Sequence, residues 1–140
     1  MLPGPRFLAL VALERIERHK PPQSALDVKL GPGGLVDLEF AVHVLQLTRH
    51  VGLSPSLEEA LDVLAAESLI STNVVDAQKL LTRMLVMMRL VAPGDIKPTA
   101  DTWQLVAQAC GAASWDSLLA EHDAARQSIT DLWNSIKQEA

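Results

Sequence analysis

The spacing of apolar and polar residues predicts a helix in the first half of the chain. Residues from Leu35 to about His50 are almost continuously apolar, and the polar exceptions recur four, three and four positions apart. Those exceptions are Glu39, His43, Gln46 and His50. Because this spacing keeps to one helical face, we expect a mostly buried helix with one polar stripe. The pattern leaves open whether the stripe meets solvent, another domain or a second copy of the chain.

Residues that cap or stop helices set the bounds of the other predicted helices. Ser56 and Glu59 form a capping box, in which the Ser side chain accepts from a helical amide and the Glu side chain reaches back. Thr99 and Ser114 are placed to cap two later helices. The further predicted helices cover about 6–19, a stretch after Ser56, about 72–91, a stretch from Thr99 to Gly111, and a stretch after Ser114.

The last predicted helix carries an apolar seam with alternating spacings of four and three. The seam consists of Leu118, His122, Ala125, Ile129, Leu132 and Ile136. The position of His122 in this seam favours a hydrogen-bonded core histidine over a catalytic base. Only the piece from Ala25 to Leu30 alternates as an extended segment does. The sequence therefore predicts an all-α bundle of five or six helices.

Composition narrows the class of protein. A chain of 140 residues with 49% apolar and 21% charged residues fits a single helical domain over residues 1–140. The net charge of -5 argues against a nucleic-acid partner, because phosphate-backbone binding needs clustered Lys and Arg. Cys110 is the one cysteine, so no internal disulfide can form and a cytoplasmic location is expected.

The most apolar piece of the chain runs from Leu80 to Val91. It contains Arg83 and Arg89 and is far shorter than the roughly 20 residues that span a bilayer. We therefore expect a buried central helix, with its methionines filling the core, and no membrane partner.

Two pairs of acidic residues resemble metal-binding motifs. Asp37 and Glu39 are separated by one residue, as are Glu121 and Asp123. Residues two apart on a helix diverge by about 200°, so neither pair can chelate one ion on the predicted helices. The residues alone therefore predict no metal ligand and no catalytic side chain in this chain.

The segment before the apolar helix is the candidate binding site. Lys29 precedes a turn that contains Gly31, Gly33 and Gly34. A glycine turn allows close approach, and the free amides at a helix start attract an anion such as a phosphate. Asp37, in the first helical turn, can satisfy the same amides. A structural turn is therefore favoured over a phosphate site.

The same segment resembles the signature of glutamine synthetase adenylyltransferases. That signature has a Lys, a spacer, Gly-x-Gly-Gly, two apolar residues and Asp-apolar-Glu-Phe, and residues 29–40 match it. The matching positions are Lys29, Gly31, Gly33, Gly34, Asp37 and Glu39. The resemblance implies the helical domain that follows a nucleotidyltransferase domain, in the adenylylating half of the enzyme. It also implies that these residues lie at the interface with the catalytic domain or beside its nucleotide.

The resemblance places the chemistry of the parent enzyme outside this chain. Enzymes of that family transfer AMP from ATP to a tyrosine of glutamine synthetase, with Mg²⁺, and so regulate nitrogen assimilation. Their catalytic motif, a Gly-Ser followed by Asp-x-Asp, occurs nowhere in the sequence. We therefore expect a domain that is silent alone, holds no cofactor itself, and partners a nucleotidyltransferase catalytic domain and, through it, glutamine synthetase.

Other functions remain open on the sequence. The chain could be a free-standing module that partners a separately encoded nucleotidyltransferase, or the helical region of a related uridylyltransferase that acts on a nitrogen-signalling protein. The combination of Gly-x-Gly-Gly with Asp-x-Glu-Phe favours the adenylyltransferase. A plain interaction bundle without a nucleotide connection also fits the fold.

Overall fold

The computed structural model describes residues 33–91 and 99–138. These ranges contain five helices and no strand: α1 Leu35–Arg49, α2 Leu57–Ala66, α3 Thr72–Val91, α4 Ala100–Ala109 and α5 Trp115–Gln138. The predicted all-α class is therefore confirmed. The helix predicted over 6–19 and the extended piece from Ala25 to Leu30 lie outside the described residues. No helix in the described ranges is long and apolar enough to cross a membrane.

The core is built around α5, whose most extensive contact is with α3. All the residues of the predicted seam on α5 are buried: Leu118, His122, Ala125, Ile129, Leu132 and Ile136. Helical periodicity places them on one face, and the opposite face of the same helix is charged and exposed. The seam prediction is confirmed because a 3.6-residue repeat needs no tertiary information to be read.

Helix α1 has the predicted bounds, and part of its polar stripe is engaged. The helix ends at His50, whose left-handed backbone (φ 55°) lets its amide donate to the Gln46 carbonyl over 3.0 Å. The Gln46 side chain donates to the carbonyl of Gly52 at 2.6 Å and to that of Ser54 at 3.3 Å. Gln46 therefore holds the following loop, whereas Glu39 and the stripe histidines are exposed.

The helix caps are confirmed in position, with one difference in detail. Ser56 accepts from the Glu59 amide at 3.4 Å, as the capping box predicts. The Glu59 carboxylate does not reach back to the Ser56 amide, because the Ser54 hydroxyl lies between them. That hydroxyl accepts from the Ser56 amide at 3.2 Å and donates to Glu59 at 2.8 Å. Thr99 and Ser114 cap α4 and α5 as predicted, accepting from the amides of Thr102 and Ser117.

The prediction of a buried central helix over Leu80 to Val91 is only half correct. Residues on the inner face of α3 are buried as far as Met84, which follows Leu81 on that face. Further along, Val86 is 45% exposed and Leu90 is 70% exposed, and Met87 is half-buried. The apolar run predicted burial, but no described helix covers this side of α3.

His122 is a core histidine, as the sequence predicts. It is 1% exposed, and its Nδ1 lies 3.4 Å from a carboxylate oxygen of Asp123, while no described residue pairs with its Nε2. Burial lowers the pKa of the imidazole below 6.5, and the Asp123 hydrogen bond opposes this only in part. The folded chain therefore favours the neutral ring.

We expect the free energy of unfolding to fall as the pH drops below 6.5. The unfolded chain binds the His122 proton with the ordinary pKa, whereas the folded chain resists it, so this stability is complete above 6.5 and is lost below. Urea unfolding followed by circular dichroism between about pH 7.5 and about pH 5.5 measures the change. His122→Leu removes the dependence and the exposed-site variant His43→Gln keeps it; equal pH slopes in both variants contradict the assignment.

Candidate functional site

The glycine turn at the start of α1 is the candidate site. Gly33 and Gly34 are both buried, Gly33 with a left-handed backbone (φ 72°) and Gly34 extended as the N-cap of the helix. Two signature residues, Lys29 and Gly31, lie outside the described residues. We call Gly33, Gly34 and Asp37 together the glycine corner.

The Asp37 carboxylate closes the turn from within. It accepts a hydrogen bond from the Gly33 amide at 2.7 Å, and the residue is 7% exposed. The negative charge also lies in the first turn, at the positive end of the helix dipole. The predicted role of Asp37 in fixing the turn is confirmed, and the Gly33 amide is consequently committed inside the protein.

Gly33 packs directly against the backbone of α5. A Cβ at this position would overlap the carbonyl oxygen of Arg126 and would lie 2.8 Å from the Thr130 hydroxyl. The sequence favoured a structural turn over a phosphate site, and the group that makes the close approach at Gly33 is a neighbouring helix. A nucleotide contact through Lys29 stays a prediction.

Trp133 makes a second connection between α5 and the glycine corner. Its indole Nε1 donates to the backbone carbonyl of Asp37 at 2.7 Å, and the side chain is 3% exposed. Sequence reasoning did not identify this contact. The available signal was the place of Trp133 next to Leu132 of the apolar seam, because a buried indole needs an acceptor. Its partner lies 96 residues away and could not be inferred from spacing.

Glu39 lies apart from the glycine corner, although it belongs to the same signature. Its side chain is exposed while that of Asp37 is buried, so the predicted divergence of the two carboxylates is confirmed. On the exposed side, the rings of Phe40 and His43 meet edge to face with centroids 6.3 Å apart. Within 33–91 and 99–138, no three His, Cys, Asp or Glu side chains are grouped to hold a metal ion.

Two open grooves lie along α5, away from the glycine corner: the first faces α3, and the second faces the loop between α2 and α3. One has a volume of about 440 Å³ and includes Asp76 and Glu121 in its lining; the other has about 570 Å³ and includes Ser68 and Asp131. Ser128 lines both grooves, and no residue of the corner lines either. The glycine corner is therefore an internal anchor of the described chain, and the exposed side chains of Glu39 and His43 lie apart from it on α1.

A comparison with protein families matches almost the whole chain to one model. The model described as GlnD PII-uridylyltransferase covers residues 6–136. The match therefore includes the glycine corner, the seam of α5 and most of the chain before Gly33.

Curated relatives carry a different but related description. The chain is 34% identical over 112 residues to a bifunctional glutamine synthetase adenylyltransferase/adenylyl-removing enzyme of Rhizobium meliloti, a match that covers 74% of this chain and 11% of the relative. Proteins with the same description match in Mesorhizobium japonicum (42% over 50 residues; 36% of this chain, 5% of the relative) and Mycobacterium leprae (41% over 76 residues; 51% and 7%). The chain thus spans about a tenth or less of these relatives' length. No solved structure matches it.

Adding a methyl group at Gly33 should destabilise the protein far more than adding one at Gly111. Both glycines have positive φ, but Gly33 abuts Arg126 and Thr130 whereas nothing lies within 4 Å of a Cβ at Gly111. We expect Gly33→Ala to lower the free energy of unfolding by about 2 to 4 kcal/mol and Gly111→Ala by about 1 kcal/mol. Urea unfolding measures both, and equal losses would show that only backbone strain matters.

Replacing Trp133 by Phe should loosen the glycine corner while keeping most of the buried ring. The Asp37 carbonyl keeps its helical donor within α1 but loses the indole, and one such hydrogen bond contributes about 0.5 to 1.5 kcal/mol to the free energy of unfolding. Hydrogen exchange at the amides of 33–38 should accelerate. The matched variant Trp103→Phe changes a half-buried indole stacked on Trp115, far from the corner in sequence, and should leave those amides unchanged. Similar exchange rates of these amides in the two variants would show that the Trp133 hydrogen bond does not hold the glycine corner.

Proposed function

This chain belongs to the GlnD PII-uridylyltransferase family, and we propose that it is a helical accessory domain that works beside a nucleotidyltransferase domain. In this proposal the parent enzyme transfers AMP from ATP to a tyrosine of glutamine synthetase in the cytoplasm and so regulates nitrogen assimilation. The chain itself positions the catalytic domain and carries out no bond-making step.

Similarity to the adenylyltransferases supports this proposal at the level of a region. The Rhizobium meliloti relative is matched over 74% of this chain but only 11% of its own length, so the chain corresponds to one part of a much longer protein. The catalytic motif of such enzymes, Gly-Ser followed by Asp-x-Asp, is absent from the sequence. A supporting role therefore fits better than independent catalysis.

The observation that carries the proposal is the anchoring of the signature segment. Gly33 is held by α5 on one side and by the Asp37 carboxylate on the other, only four residues after Lys29. Gly33 and Asp37 of the signature thus contact this chain's own helices. Together they fix the position of Gly33, four residues after Lys29 in the sequence. We propose that Lys29 and the exposed Glu39 meet the catalytic domain from this fixed point.

The carboxylates of the signature do not fit the Mg²⁺ of such an enzyme. Asp37 is buried and committed to the Gly33 amide, and Glu39 is exposed on a different side of α1. ATP and Mg²⁺ therefore belong to the partner domain in this proposal.

A uridylyltransferase parent is the second candidate. It is favoured by one observation, the description of the family model as a PII-uridylyltransferase. Under this alternative the chain would support UMP transfer to the PII protein, with the same anchored corner beside a different catalytic domain.

The test supplies this chain to a Rhizobium meliloti adenylyltransferase from which the matched region has been removed. We expect the chain to restore AMP transfer from ATP to glutamine synthetase. Lys29→Ala should reduce the restored rate by about tenfold, the loss of one charged hydrogen bond. Lys79→Ala, an exposed Lys on α3, serves as the matched control and should leave the rate unchanged.

The contrary outcomes are distinct. Restoration that is equal with Lys29→Ala and with the unchanged chain would remove Lys29 from the interface. Restoration of UMP transfer to PII in a correspondingly shortened uridylyltransferase, without any AMP transfer, would select the second candidate. Failure in both systems, with the chain folded by circular dichroism, would contradict the accessory-domain proposal.

A further inference from the structure

The C-terminal half of α3 has a second apolar face, which borders the core at Met87 and is exposed at Val86 and Leu90. Arg83, Val86, Met87 and Leu90 follow each other at positions i, i+3, i+4 and i+7, which places them on one helical face. Arg83, Val86 and Leu90 are exposed and Met87 is half-buried. We call these four residues the outer face of α3.

A helix that is apolar on two sides is stable between two packing layers rather than at a surface. On the inner side, Leu81 and Met84 are fully buried, so one layer is present. The outer face, by contrast, leaves Val86 and Leu90 with 45% and 70% of their surface exposed. Its three apolar residues at i+3, i+4 and i+7 form the pattern by which a helix packs on another helix.

The chain before Gly33 contains the complementary pattern. Phe7, Leu10, Val11 and Glu14 also stand at i, i+3, i+4 and i+7, within the helix that the sequence predicts over 6–19. In an antiparallel arrangement the apolar residues of the two faces lie opposite each other, and the carboxylate of Glu14 falls opposite the guanidinium of Arg83. We propose that the segment 6–19 docks antiparallel on the outer face of α3 and completes the bundle.

The segment belongs to the domain and can reach this face. The family model covers residues 6–136, so it treats the segment and the described helices as one unit. One groove is lined by residues 73–80 of α3 and 121–128 of α5, and the other by Thr72 and Val74 with residues 128–135 of α5. The start of α3 thus lies beside the later part of α5, so the two helices run antiparallel. Arg83 therefore lies ten residues, about 15 Å, along α3 from the level of Ser128, near which Gly33 packs. The thirteen residues from 20 to 32 can span up to about 43 Å.

Hydrogen exchange of the full chain, read by mass spectrometry on peptides covering 6–19, tests the docking. We expect these amides to be protected. Leu90→Glu places a charge against apolar side chains and should lower their protection by at least about tenfold. Arg83→Glu and Glu14→Arg should each lower it about twofold to fivefold, and the double variant should restore it. Arg89→Glu, an exposed Arg on another side of the same helix, is the matched control and should change nothing.

Any other outcome contradicts the proposed docking of the segment 6–19. Unprotected amides in 6–19 of the unchanged chain would show that the segment does not dock, and protection that survives Leu90→Glu would place it elsewhere. Protection that falls on dilution together with a dimer mass in light scattering would assign the outer face to a second copy. Because the peptides of α5 report the folded core in the same experiment, a variant that unfolds is recognised, and the charge pair then decides.

Discussion

The contact between Gly33 and the backbone of α5 is the constraint on which the rest of the bundle depends. The turn touches the Arg126 carbonyl and the Thr130 hydroxyl, at a distance that only a residue without a side chain allows. It brings together parts of the chain that are more than 90 residues apart in sequence. The start of α1 is thereby placed on α5, and the direction of α1 across the bundle follows from it.

The side chain and the backbone of Asp37 both stabilise this contact. Its carboxylate accepts from the Gly33 amide and its backbone carbonyl accepts from the Trp133 indole, so the corner has few unpaired polar groups to offer a ligand. Gly33 and Asp37 therefore fix the geometry of the turn through contacts within the chain. Of the two carboxylates of the signature, only that of Glu39 is exposed.

In the described bundle, one side of α3 is buried and the other side, near its C-terminal end, leaves apolar side chains exposed. Leu81 and Met84 are completely buried, whereas Leu90, less than three helical turns on, is mostly exposed. The grooves beside α5 are open and include acidic side chains in their lining, Asp76 and Glu121 in one and Asp131 in the other. The exposed apolar surface of the described bundle is therefore the C-terminal end of α3. The residues of the family signature lie elsewhere, at the start of α1. They are separate parts of the domain.

The sequence alone determined the helices, their caps and the buried face of α5, because these features depend on neighbours within one or two turns. Local spacing correctly predicts the three capping residues Ser56, Thr99 and Ser114. It also predicts the buried seam that includes His122. The sequence also predicted that the side chains of Asp37 and Glu39 point in different directions, because residues two apart on a helix diverge.

Only the tertiary structure decided which group fills the space beside Gly33, which acceptor Trp133 finds, and which end of α3 is left uncovered. These are contacts between residues far apart in sequence, and no periodicity of the chain records the distance or the direction of its partner helix.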